Sequence, residues 1–79
     1  MRINVLYFAQ LKQSRGLAEE SVETEAATVG ALYQAIAEQH SLDLPIGQIR
    51  IARNEAFCPP DTPIEDGDTV AFMPPMSGG

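Results

Sequence analysis

Apolar and polar positions recur along this chain with two different periods. In "RINVLYF" (2–8), Ile3, Val5 and Tyr7 alternate with Asn4, Leu6 and Phe8, and nearly all are apolar. A run apolar on both sides predicts a strand in the middle of a sheet. "QSRGLA" (13–18) breaks the alternation at Gly16 and predicts a turn. "ESVETE" (20–25) alternates again with one strong apolar residue, Val22, which predicts an edge strand whose charges discourage further pairing.

From Thr28 to about His40 the period lengthens. Val29, Leu32, Ala35 and Ile36 fall on one helical face with Tyr33 beside them, while Gln34, Glu38 and Gln39 point away. Thr28 is a good N-cap, and the segment ends through Ser41, closed off by Pro45. Alternation returns at 49–52, with Ile49 and Ile51 inward and Arg50 outward. Asn54-Glu55 reads as a turn before a short strand, Ala56 to Cys58. "EDGD" (65–68) is a turn signal. Thr69 to Met73 is a last strand with Val70 and Phe72 on one face, stopped by Pro74-Pro75, which have no N–H for a ladder.

Strand, strand, helix, strand, short strand, strand is the order of an α+β domain of β-grasp type, a mixed sheet curled around one main helix. Its first and last strands pair in parallel at the sheet centre. Residues 1–75 form this domain, and 76–79 are expected to be a flexible tail.

Composition narrows the function. The chain has 79 residues, 44% of them hydrophobic, which suits one small globular domain. Its single cysteine, Cys58, rules out an internal disulfide, and no Cys/His cluster offers a zinc site. Five Lys and Arg against eleven Asp and Glu give a net charge of −6. No basic face exists for nucleic acid, and an anionic membrane would repel the chain. The acidity suits a basic partner surface or simple solubility. "MRINVLYFAQ" carries no cationic leader or cleavage site and is too short to span a bilayer, so the cytoplasm is the expected compartment.

The segment "MPPMSGG" (73–79) carries the candidate chemistry. The two prolines stiffen the exit from the last strand. Ser77, Gly78 and Gly79 then reach roughly 10 Å when extended, and glycines pass through channels too narrow for side chains. The Gly79 carboxylate is unbranched and accessible, so ATP can adenylate it and a nucleophile can attack it. The alternative is a frayed glycine terminus with no function.

The sequence resembles the small, sulfur-carrying subunit of molybdopterin synthase, a ubiquitin-like family. The matching stretches are "VLYFAQLKQSRG" (5–16), "TVGALYQAI" (28–36), "IARNEAF" (51–57) and "IEDGDTVAFMPPMSGG" (64–79). The tail block is the most specific and "FAQ" the next. The resemblance implies that an E1-like enzyme, using ATP, adenylates Gly79, and that sulfur then replaces the adenylate to leave a C-terminal thiocarboxylate. The tail residues Pro75, Met76, Ser77 and Gly78 would enter the large synthase subunit, within a heterotetramer. There the carrier would give one sulfur per visit to cyclic pyranopterin monophosphate, building the dithiolene of molybdopterin. The carrier itself is expected to supply no acid, base or metal ligand and to bind no cofactor. Met73 and Met76 depart from the family's frequent phenylalanine and valine; methionine is apolar and adaptable, so docking is expected to survive.

Phe8, Phe57 and Met73 are candidate docking residues, with core packing as the alternative for each. Lys12 matches a basic family position suited to an acidic partner group, or is a solvated lysine. Cys58 has no sequence neighbour that lowers its pKa and reads as passive. His40 suits a helix C-terminus. The acids at 19, 20, 23 and 25 read as a solvated face, and Glu65, Asp66 and Asp68 as turn chemistry. Two other functions share features of the chain. One is sulfur carriage for another pathway, such as thiazole formation or protein conjugation. The other is a β-grasp interaction module without covalent chemistry.

Overall fold

The computed structural model describes residues 1–75. The elements are β1 (Arg2–Tyr7), α1 (Ala9–Arg15), β2 (Glu19–Glu23), α2 (Val29–His40), a 3-10 turn (Ile46–Gln48), β3 (Arg50–Arg53), β4 (Ala56–Cys58) and β5 (Thr69–Met73). The five strands form one mixed sheet in the order β2-β1-β5-β3-β4. β1 and β5 run parallel at its centre, from Asn4 opposite Thr69 to Tyr7 opposite Phe72, and the other pairings are antiparallel. This is the β-grasp arrangement, ubiquitin-like in topology.

Alternation sorts the strand residues to two faces. Ile3, Val5, Tyr7, Ile51, Val70 and Phe72 turn inward and are buried against Val29, Leu32, Tyr33 and Ile36 of α2. Phe72 anchors this core, with the Tyr33 ring edge-on at 5.1 Å and the Tyr7 ring at 6.4 Å. At the start of α2 the Thr28 hydroxyl accepts from the Ala31 N–H at 3.1 Å, the cap read from the sequence.

Ala35 departs from expectation: it is exposed. At 100° per residue it falls just outside an arc running from Leu32 through Ile36, Val29 and Tyr33 to Gly30. Gly30 occupies the arc because the 59–63 segment packs directly on it. Its N–H donates to the Pro60 carbonyl at 2.8 Å, and the Val29 N–H donates to the Thr62 carbonyl at 2.9 Å. Two donors at the helix start, which have no partner within the helix, are satisfied in this way.

The region 13–18 is also not simply a turn. It closes α1, a seven-residue helix that ends at Gly16 with φ 78°, where the Gly16 N–H bonds back to the Lys12 carbonyl. Only Leu11 of α1 is buried, so the sequence holds no apolar stripe to announce it. Strand ends move by a residue or two. Phe8 has left β1, Ile49 precedes β3 as a half-buried residue, and β2 ends at Glu23.

Candidate functional site

On the sheet face opposite α2, Leu6, Ala71, Ala52 and Phe57 stand in register across four strands. Ala52 and Ala71 are small and buried, whereas Phe57 projects with 61% of its surface exposed. One row further along, Arg50 of β3 faces Met73 of β5. The end of this surface is an open depression of about 370 Å³ lined by Phe8, Ala9, Arg50, Phe57, Met73, Pro74 and Pro75.

Four of the residues singled out in the sequence therefore meet: Phe8, Phe57, Met73 and Pro75. Phe8 is 45% exposed, so neither it nor Phe57 is a core side chain; Met73 is half-buried. Lys12 does not line this depression. It lines an adjoining one of about 320 Å³ with Leu6, Tyr7, Phe8, Ala9, Ala18 and Glu19, so the two share Phe8 and Ala9. Met76, Ser77, Gly78 and Gly79 lie outside the described residues.

The backbone aims Phe8 outward. Its N–H donates to the Phe72 carbonyl at 3.3 Å, and its own carbonyl accepts from Leu11 at 3.1 Å. Between strand and helix the chain turns at Ala9, which has φ 50°, a left-handed conformation costly for a residue with a Cβ. The tight exit leaves the phenyl group on the surface. Sequence reasoning does not single out Arg50 as a site residue. Alternation places it outward, but its register against Met73 and Phe57 depends on pairing between distant strands.

Two charged clusters hold the elements that carry this surface. Arg15 of α1 makes an ion pair with Glu20 of β2 at 2.7 Å, and the Tyr7 hydroxyl donates to Glu20 at 2.5 Å. The Arg15 guanidinium also lies 5.6 Å from the Tyr7 ring centroid. Burial, followed by the Glu20 hydrogen bond, pushes the Tyr7 hydroxyl above its ordinary range. Burial alone would raise the Glu20 carboxyl as well, but the Arg15 and Tyr7 hydrogen bonds outweigh it and hold Glu20 below its usual value. Glu20 thus differs from Glu19, Glu23 and Glu25, which are exposed as expected.

The second cluster surrounds Asp68, which is only 7% exposed. Its carboxylate accepts from Arg53 Nε at 2.6 Å, Asn54 Nδ2 at 3.0 Å and the Glu65 N–H at 2.8 Å. The Arg53 hydrogen bond, supported by the others, lowers the Asp68 pKa to about 2. Asn54 and Glu55 both have positive φ, the signature of a tight hairpin between β3 and β4. The Asn54 side chain in turn accepts from the Thr69 N–H at 2.9 Å. Asp68 therefore ties the β3–β4 hairpin to the start of β5, beyond the turn role read for it.

Cys58 is a half-buried free thiol packed against the core, and His40 sits in the last turn of α2. Among the described residues no cluster of three or more His, Cys, Asp or Glu is placed to hold a metal ion. Nor is any described helix long and apolar enough to cross a membrane.

The sequence profile of the ThiS family matches residues 5–79. The chain is 40% identical over 80 residues to the molybdopterin synthase sulfur carrier subunit of Escherichia coli, covering 98% of this chain and 99% of that protein. Among solved structures it is similar to SAMP1 of Haloferax volcanii, with a TM-score of 0.81 at 26% identity over the full length of both chains. It is also similar to a chain in the complex of subunits 1 and 2 of the molybdopterin-converting factor of Helicobacter pylori. That match has a TM-score of 0.70 at 26% identity, again over the full length of both.

Proposed function

The chain belongs to the ThiS family, and on that premise we propose that it is a sulfur carrier, the small subunit of a molybdopterin synthase, with the Gly79 carboxylate as the group that is loaded and discharged. One observation carries this reading. The central parallel pair delivers Pro74 and Pro75 to the rim of an exposed apolar depression, four residues before Gly79. A partner that covers Phe8, Phe57 and Met73 thereby holds the root of the tail. Four extended residues then reach about 14 Å beyond Pro75, enough to bring Gly79 into a pocket inside that partner.

Loading begins with an E1-like enzyme. The Gly79 carboxylate attacks the α-phosphorus of ATP, pyrophosphate leaves, and an acyl adenylate forms. Sulfur carried as a donor's persulfide then attacks the acyl carbon and AMP leaves; a second thiol reduces the resulting acyl disulfide, forming a disulfide with the donor sulfur and releasing the C-terminal thiocarboxylate. This group is anionic at neutral pH and a good nucleophile. In the large subunit its sulfur attacks an electrophilic side-chain carbon of cyclic pyranopterin monophosphate and an oxygen on that carbon leaves; water then cleaves the acyl–sulfur bond, leaving sulfur on the substrate and restoring the carboxylate. The carrier's part is to present the tail and to dock, in a heterotetramer, and the acid–base chemistry falls to the partner. The similarity to a subunit in a two-subunit complex supports this division.

The test is loading. The Cys58→Ser protein is incubated with an E1-like enzyme, ATP and a sulfur source, then alkylated and weighed intact. One alkyl group mapped to Gly79 is expected, and its loss when Gly79 is deleted or one residue is appended. Alkylation is needed because oxygen-to-sulfur exchange nearly matches the mass of methionine oxidation. No adduct with a competent activating enzyme overturns the reading and favours a non-covalent interaction module.

A further inference from the structure

The chain has five cations, and three of them are used internally among the described residues. Arg2 pairs with Glu23, Arg15 with Glu20, and Arg53 with Asp68 and Glu65. Arg50 and Lys12 have no carboxylate partner within 4 Å among the described residues. In a chain of net charge −6 acidic partners are plentiful, yet these two cations border adjoining depressions that share Phe8 and Ala9.

Arg50 is also held in place. Its guanidinium carbon lies 4.4 Å from the centroid of the Phe57 ring, and its backbone is fixed in β3 opposite Met73. Stacking on the ring face restrains a side chain that would otherwise lose considerable rotamer freedom on binding. The stacked pair forms a ridge. On one side is the depression at the root of the tail, and on the other is a second, of about 390 Å³, lined by Ile49, Ile51, Cys58, Pro59 and Pro60 together with Arg50 and Phe57. Arginine is among the residue types that dominate binding energy at the centres of interfaces, and phenylalanine is enriched at interfaces over the rest of the surface.

We propose that the Arg50–Phe57 ridge is the specificity element of the docking face, and that the protein partner meets it with an aspartate or glutamate set beside an apolar patch that caps Phe57. The inference rests on the carrier reading and names the partner's surface chemistry. A planar guanidinium stacked on an aromatic face leaves its N–H edge for a carboxylate, which it binds through two parallel hydrogen bonds. The depression beyond the ridge extends the contact past the tail's exit, toward Pro59 and Pro60.

The experiment measures the dissociation constant of the complex with the large synthase subunit at about 50 mM and about 500 mM salt. It compares the wild type with Arg50→Gln, Arg50→Lys, Arg50→Glu and Phe57→Ala. Arg50→Gln is expected to weaken binding about tenfold at low salt, shrinking to less than about twofold at high salt, since screening removes the wild type's advantage. Arg50→Lys should fall between the two, because it keeps the charge without the planar fork. Arg50→Glu should bind most weakly of the Arg50 series at low salt, and should tighten as salt rises. Phe57→Ala should lose affinity at both salts. An Arg50→Gln protein that binds like wild type at both salts overturns the proposal. So does one that loses the same factor at both, since Arg50 would then act only as a cover for Phe57. A wild type that forms no complex, with melting behaviour intact, overturns the carrier reading and this inference with it.

Discussion

Tyr7 lies opposite Phe72 in the central parallel ladder, and the next residue, Phe8, donates its N–H to the Phe72 carbonyl. The two strands that form the core therefore also place the two sides of the proposed docking surface, Phe8 on one and Met73-Pro74-Pro75 on the other. Their separation is set by a ladder buried on the helix side, where Val5, Val70 and Phe72 have no solvent exposure. A rigid root suits the tail insertion proposed above. From this arrangement, changes in the core should alter stability, and changes on the outer face should alter binding.

The outer-face residues should separate these effects. Phe57→Ala and Phe8→Ala remove exposed rings that contribute little to the core. Thermal unfolding should shift by less than about 0.5 kcal/mol, while affinity for the large subunit falls tenfold or more. Calorimetric melting together with titration of the complex reads both quantities.

Gly30→Ala tests the contact between α2 and the 59–63 segment. A Cβ there would sit 2.7 Å from the Pro60 carbonyl oxygen and 2.9 Å from the Pro60 Cβ. The helix-propensity gain of about 1 kcal/mol is outweighed by a backbone collision, because neither atom lies at the end of a flexible side chain. A net loss of about 1–3 kcal/mol in chemical denaturation is expected.

Tyr7→Phe should destabilise the protein by about 1.5–3 kcal/mol, the range for losing a hydrogen bond to a charged group. The Arg15–Glu20 ion pair remains, so α1 should stay docked. Hydrogen exchange of the Lys12 and Gly16 amides, slow in the wild type and only modestly faster in the variant, checks that distinction.

Asp68→Ala should cost more than a surface substitution. It strips Arg53, Asn54 and the Glu65 N–H of one shared acceptor. A melting temperature lower by about 5 °C or more is expected for a domain of this size. The same group predicts a pH dependence. Its folded pKa of about 2 lies below the ordinary aspartate value near 3.9. Its stabilisation is therefore complete above that ordinary value and fades as pH falls toward about 2. Glu20, also lowered in the fold, acts in the same direction. Acid titration of the wild type should show a loss of stability below about pH 4 that is smaller in Asp68→Ala.

Strand alternation and the helical stripe make most of the fold legible in the sequence alone. The buried positions of β1, α2 and β5 are almost all side chains whose spacing assigns them inward. The parts that are not legible depend on contacts between distant segments. α1 has a single buried residue and is held by Arg15 reaching Glu20, a pairing with no periodic trace. Gly30 joins the buried arc because Pro60, from a distant part of the chain, packs on it, while Ala35 lies beyond the arc's other end. Of the candidate site, Phe8, Phe57 and Met73 can be named from resemblance and strand ends. Arg50 cannot, because its role depends on the register of three strands.

The most direct test of the central claim is a single-turnover discharge. Cys58→Ser carrier bearing the Gly79 thiocarboxylate is mixed with the large subunit and cyclic pyranopterin monophosphate, and the alkylatable C-terminus is followed by intact mass while the pterin product is assayed for sulfur. The thiocarboxylate should disappear as sulfur appears on the pterin, neither should happen without the large subunit, and Phe57→Ala should slow both together. A loaded carrier that binds the large subunit yet keeps its sulfur in the presence of precursor would contradict that claim.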